Sequence, residues 1–169
     1  MAFWSEQTMD PKRKFRWVVN IPGLDGIGEY VAKTIKKPNF KVGESPVKFI
    51  NHTFYYPGRV EWETVDITLY DPGGDDDVSK ALIRMLQRSG YSFPDDIEAA
   101  KNSITKGKAT GALGLIELSQ LDGDGGPVET WVLQNAWLQN VNFGDLSYDD
   151  DNVVEITLTV RYDWAEITR

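Results

Sequence analysis

The side chains that carry most enzyme chemistry are scarce in this chain of 169 residues, which has no cysteine and a single histidine, His52. The first absence excludes disulfides, thiolate metal sites and cysteine nucleophiles, and the second makes any serine triad or imidazole metal site depend on one residue. His52 lies in the aromatic stretch FINHTFYY, a setting that suits a structural or surface histidine better than a general base. Carboxylates are plentiful, and LDGDGGPVE, DPGGDDD and YDDDN gather them as a Ca²⁺ site would. None has the EF-hand spacing with its closing Glu, and Asp-Gly pairs are the ordinary chemistry of tight turns. GLDGIG and GKATGALG are rich in glycine, but neither matches a phosphate-cradling spacing or sits between a strand and a helix. No catalytic, cofactor-binding or metal-binding residue is assigned, and the chain reads as a non-enzyme. Six tryptophans admit one binding chemistry, stacking on a sugar, but Trp17 and Trp164 fall on the apolar faces of their strands and read as core.

The charge balance narrows the partners. Eighteen Lys and Arg against 26 Asp and Glu give a net charge of −8, which argues against a nucleic-acid reader, because phosphate binding draws on surplus cations. The charge is uneven. Residues 1–50 hold 9 basic and 5 acidic side chains, a net of +4, and residues 51–169 hold 9 and 21, a net of −12. A molecule with one basic and one acidic patch suits head-to-tail self-association. The content of 41% hydrophobic and 12% aromatic residues suffices for a packed core in one domain spanning 1–169. No apolar run approaches the roughly 18 residues that span a bilayer. The opening MAFWSEQTMD is read as carrying no secretory leader.

The elements that must position these residues are mostly strands. In KFRWVVNI, Phe15, Trp17, Val19 and Ile21 alternate with polar or smaller neighbours, the period of a half-buried strand. GLDGIG turns the chain into a second strand near 29–36, which Pro38 stops. PVKFINHTFYYPG and RVEWETVDITLY, separated by Gly58, form a long hairpin. A parity change between Trp62 and Val65 marks a bulge or a change of buried face. The period then becomes helical over 75–90. Asp75, Asp76 and Asp77 sit at the N-terminus, Val78, Ala81, Leu82, Met85 and Leu86 form the apolar face, and Gly90 is the stop. A second helix is expected over 94–104, with Ile97, Ala100 and Ile104 facing in. Strands resume with GALGLIELSQL, continue through PVETWVLQNAWLQNV with a bend near Asn135, and end in the alternation Val154, Ile156, Leu158, Val160, Tyr162, Trp164. The class is α+β and mainly antiparallel, a sandwich or barrel-like sheet with one flanking helix.

Two segments resemble one family. In PVKFINHTFYYPGRVEWETVDITLYDP, residues Pro46, Val47, Phe49, Asn51, Gly58, Arg59, Trp62, Thr68 and Asp71 are similar to the tail tube proteins of contractile-tailed phages. In LQNAWLQNVNFGDLSYDDDNVVEITLTVRYDW, residues Asn135, Ala136, Trp137, Asn140, Val141, Gly144, Leu146 and Asp149 resemble the same family's Trp-to-Gly-Leu segment. Glu155, Thr159 and Tyr162 resemble its closing strand. The element order agrees along the whole chain.

The resemblance implies a structural virion protein, made in the host bacterial cytoplasm, whose hexameric rings stack into the inner tube of a contractile tail. It implies a tail tube fold with a long protruding hairpin, 40–60, that reaches the next ring through Val47, Phe49, Asn51, Phe54, Tyr56 and Arg59. Residues 1–11 would be an N-terminal arm. The implied partners are further copies of the chain, the tail sheath protein, the tape measure protein, the baseplate tube initiator and the tail terminator. Six copies at −8 each would give a channel that passes DNA without binding it. Glu61, Glu63, Glu155, Thr157 and Thr159 are the candidates for its lining. Lys33, Lys36, Lys37 and Lys41 form a basic patch that would pair with a neighbour's acidic turns and set the stacking polarity. The alternatives are a tube protein of a phage-like or type VI injection system, a β-sandwich carbohydrate-binding module using exposed Trp, and a small Ca²⁺-dependent hydrolase.

Overall fold

Period-two alternation builds ten strands and leaves three α-helices and a short 3-10 helix (Glu29–Val31) in the computed structural model, which describes residue 5 and residues 10–24, 27–75 and 77–169. Most of the 1–11 arm, Asp25 and Gly26 of the glycine-rich turn, and Asp76 lie outside the described residues. The strands are β1 (Trp17–Asn20), β2 (Ala32–Ile35), β3 (Phe40–Phe49), β4 (His52–Trp62), β5 (Val65–Tyr70), β6 (Ile116–Leu121), β7 (Pro127–Gln134), β8 (Trp137–Asn142), β9 (Glu155–Arg161) and β10 (Trp164–Ile167). The α-helices are α1 (Val78–Arg88), α2 (Ile97–Ala100) and α3 (Lys106–Leu113). One sheet has the order β1-β6-β7-β10, a second β2-β5-β9-β8, and β3 and β4 pair only with each other. All pairings are antiparallel. The architecture is α+β, and among the described residues neither sheet closes into a barrel.

The core lies where the apolar rows of the two sheets meet. Val65 pairs with Val160, Ile67 with Leu158 and Leu69 with Ile156, and all six side chains are buried. Their sequence neighbours point to the other face by the same alternation. The first sheet supplies Val19, Ile116, Leu118 and Leu133, and α1 adds Val78, Ala81, Leu82 and Met85. Each fully buried aliphatic of this kind contributes about 1.5–3 kcal/mol relative to exposure. At the start of α1 the Asp77 carboxylate accepts from the Lys80 amide at 3.1 Å, which satisfies one of the helix's orphan donors. After its end Gly90 adopts φ of 108°, the left-handed stop expected of that glycine.

The chain passes between the two sheets four times, and the two short crossings lie at adjacent places. It leaves β7 for β8 through Asn135, whose φ is 53°, and leaves β9 for β10 through Tyr162 and Asp163. The Asp163 amide donates to the Gln134 carbonyl at 3.0 Å. The Asp163 carboxylate accepts from Asn135 Nδ2 at 2.9 Å and from Lys106 Nζ at 2.7 and 2.8 Å. These bonds tie the two crossings together and hold the Asp163 carboxyl below the usual range, the Lys106 bond acting most strongly.

Several sequence expectations need correction. The reversal of the long hairpin is at Ile50 and Asn51, between the paired Phe49 and His52, and not at Gly58. Gly58 lies inside β4, where the register slips between Val42 and Glu44. A Cβ there would stand 3.2 Å from the Gly43 backbone, so the glycine serves a close strand approach at a bulge. The helix expected over 94–104 shrinks to the four residues of α2, with Ile97 79% and Ile104 50% exposed. GALG belongs to α3, not to a strand; Thr105 caps that helix and Ala109, Ala112 and Leu113 turn inward at helical spacing. Trp164 is 42% exposed, because the crossing at Tyr162 and Asp163 breaks the alternation before it. Phe15 precedes β1 and is exposed.

Candidate assembly interface

The hairpin β3–β4 is the feature that a folded monomer does not explain. Every residue from Phe40 to Glu61 is exposed, and only Trp62 is half-buried. With about ten residues per strand at roughly 3.4 Å each, it reaches about 30 Å from the sandwich. It is anchored at its base, where Phe40 packs edge-on against Trp62 at 5.3 Å and Trp62 lies 6.1 Å from Tyr162. The cross-strand pairs Val47–Phe54, Ser45–Tyr56 and Phe49–His52 put Val47, Phe49, Phe54 and Tyr56 on one face. Four of the six expected interface residues are thus brought together; Asn51 is in the turn and Arg59 lies beyond the bulge. The alternation of β3 places Phe40 and Val42, with their partners Trp62 and Val60, on the opposite face. The hairpin is therefore apolar on one side near its tip and on the other near its base. Ile50 at the tip is 85% exposed with φ of 52°, a region that β-branched residues rarely adopt.

The four lysines of the expected patch take different acidic partners. Lys33 pairs with Glu155, Lys36 approaches Glu63 at 3.9 Å, and Lys41 stands opposite Glu61 in the hairpin register. Lys37 donates to Glu129 at 2.8 Å and to Gln120 Oε1 at 2.5 Å. Glu129, which sequence reasoning did not single out, is a buried carboxylate on the inward row of β7. Hydrogen bonds from Lys12, then Lys37 and the Trp131 indole, hold its pKa down at about 2. Its only sequence signal is a charge on the same strand face as Trp131 and Leu133.

The residues expected to line a channel divide. Glu155, Thr157 and Thr159 share the outward face of β9, opposite Tyr70, Thr68 and Asp66 of β5. Thr159 Oγ1 donates to Asp66 at 2.9 Å. Asn142 and Asn140 continue this hydroxyl and amide face onto β8. Glu61 lies at the hairpin base in β4, and Glu63 follows it, within 3.9 Å of Lys36.

The acidic segments resolve into turn chemistry. The Asp122 carboxylate accepts from the Gly126 amide at 2.7 Å and the Asp124 amide at 2.9 Å, and these bonds hold its carboxyl below the usual range. Among the described residues no three His, Cys, Asp or Glu side chains converge as a metal site would need. Four of the five described tryptophans are half-buried, and among the described residues no flat exposed Trp platform is built. Among the described residues no helix is long and apolar enough to cross a membrane.

No family model matches the chain, and no curated protein matches it. Solved structures do. A chain in the six-fold symmetrised baseplate of the anti-feeding prophage superposes with a TM-score of 0.67 at 15% identity, over 94% of this chain and 95% of that one. A chain in the sheath/tube terminator of an extracellular contractile injection system gives 0.66 at 13%, over 96% and 99%. A chain in the tube-terminating cap of the anti-feeding prophage gives 0.63 at 13%, over 99% of each. The chain has the tail-tube-like α+β fold found in contractile injection systems.

Proposed function

We propose that the chain is a structural subunit of the inner tube of a contractile tail or injection machine, forming hexameric rings that stack head to tail. The observation that carries this reading is the free hairpin. Its face of Val47, Phe49, Phe54 and Tyr56 costs solubility on a monomer and gains several kcal/mol once a neighbouring ring covers it. Residues 40–62 are then the inter-ring arm, with Asn51 and Arg59 supplying polar contacts at its turn and bulge. The fold shared with chains of sheath, baseplate and cap assemblies supports sheath, baseplate initiator and terminator as partners, and a tape measure protein would occupy the channel during assembly. The protein acts by assembly, not catalysis.

The outward face of β9, with Glu155, Thr157 and Thr159, is the proposed channel lining, with Glu61 and Glu63 near the ring junctions. At −8 per copy such a tube repels phosphate and lets DNA pass during tail contraction. A related reading, a tube of a phage-like injection system, is favoured by the similarity to extracellular contractile injection structures. Electron microscopy of the purified protein tests the common core of both: rings or stacked tubes are expected. A protein that stays monomeric at high concentration overturns the proposal.

A further inference from the structure

The two sheets leave a groove where their outermost strands β1 and β2 run along the same side of the sandwich. It encloses about 600 Å³. Its floor is Trp17, Ile35, Leu118 and Trp131, and its rim carries Lys12, Lys14, Lys33 and Lys37. The carboxylates that meet this rim are Glu129, shared by Lys12 and Lys37, and Glu155, held by Lys33. Among the described residues no carboxylate pairs with Lys14, which leaves four ammonium groups against two carboxylates.

The connection from β8 to β9 is the opposite kind of surface. It contains Asp145, Asp149, Asp150 and Asp151, and from Trp131 to Val160 the sequence has no Lys, Arg or His. None of the four aspartates has a cationic partner among the described residues. Between them Leu146 is 87% exposed and Tyr148 is fully exposed. Apolar side chains on a loop of four unpaired carboxylates match an apolar floor rimmed by lysines. The hairpin tip does not match it, because Lys48 and His52 sit beside its aromatics.

We infer that the acidic loop 145–151 of one copy docks in the lysine-rimmed groove between β1 and β2 of the next copy. Leu146 and Tyr148 lie on the tryptophan floor, and the aspartates meet the rim. The loop hangs from β8, the edge of its sheet opposite β2. The contact is therefore heterologous and propagates from copy to copy, closing a ring when the rotation allows. It rests on the reading of the chain as a self-assembling subunit and names the two surfaces that join neighbours.

The chain has no native cysteine, so engineered ones report the contact without background. Tyr148→Cys combined with Thr34→Cys, which lines the groove, is expected to give a ladder of covalent oligomers on oxidation. Each single variant gives none. Sedimentation and microscopy of the unmodified protein are run beside it. Assembly without cross-links overturns the loop contact and leaves the tube reading standing, whereas failure of the unmodified protein to assemble overturns both. A cross-link confined to one chain assigns the loop to its own groove and also overturns the inference. In a second arm, Asp149→Lys with Asp150→Lys weakens self-association by about tenfold or more, because it sets like charges against the rim. Adding Lys14→Asp and Lys33→Asp to the same chain restores it. Unchanged association in the first pair, or no recovery in the second, overturns the inference.

Discussion

The hairpin β3–β4 and the strand pair β5–β9 are both antiparallel and both rich in β-branched or aromatic residues, but they put those residues to opposite use. In β5–β9 the apolar row is wholly enclosed, with Val65, Ile67, Ile156, Leu158 and Val160 at 0% exposure. In the hairpin no residue before Trp62 is even half-buried. Composition does not separate them; what lies across from each face does. The pair faces a second sheet and a helix, whereas the hairpin extends past the edge of both. One region stores the free energy of folding, and the other leaves its apolar side chains in solvent.

Four substitutions probe that division. The largest effect on stability is expected from Leu158→Ala, which opens a cavity at the centre of the β5–β9 row and costs about 2–5 kcal/mol; chemical denaturation measures it. Next is Glu129. Its folded pKa of about 2 lies below the ordinary value of 4.5, so its contribution is present above pH 4.5 and is lost as pH falls towards 2. Glu129→Gln should flatten that acid limb in melts taken between pH 5 and 2, and an unchanged limb would show that Lys12 and Lys37 do not hold the carboxylate in solution. Asp77→Ala removes the α1 cap and should lower the denaturation midpoint by less than the two changes above. Smallest is Phe54→Ala in the hairpin, within about 0.5 kcal/mol of the parent because the side chain is exposed, while rings or tubes fail to stack under the microscope. A Phe54 variant that unfolds the domain would erase the distinction between the two regions.

Elements whose pattern matched their burial were legible in the sequence. Ile156, Leu158 and Val160 alternate and are buried, and Val78, Ala81, Leu82 and Met85 recur at helical spacing and are buried. Where local signals competed with tertiary ones, the local signals misled. Gly58 looked like a turn, but pairing Phe49 with His52 moves the reversal to Ile50, and the glycine admits the backbone of Gly43. Helix α3 was hidden because KGKATGAL has two glycines and little amphipathic contrast, and its place is set by packing against α1. The hairpin set Val47, Phe49, Phe54 and Tyr56 was legible because period two survives to the tip. The partners of the lysines were not, because neighbours in sequence such as Lys36 and Lys37 reach different carboxylates, and Glu129 is 92 residues from Lys37.

The paired crossings at Asn135 and Asp163 have a mechanical consequence. Each sheet contains strands whose polypeptide continues directly into the other sheet, at two adjacent points clasped by Asp163, Asn135 and Lys106. Tension applied to one sheet therefore passes into the other along covalent backbone. Prising the layers apart at that corner requires stretching peptide, not merely sliding side chains. A chain so stitched transmits load as one block, and deformation under strain concentrates in its appendages.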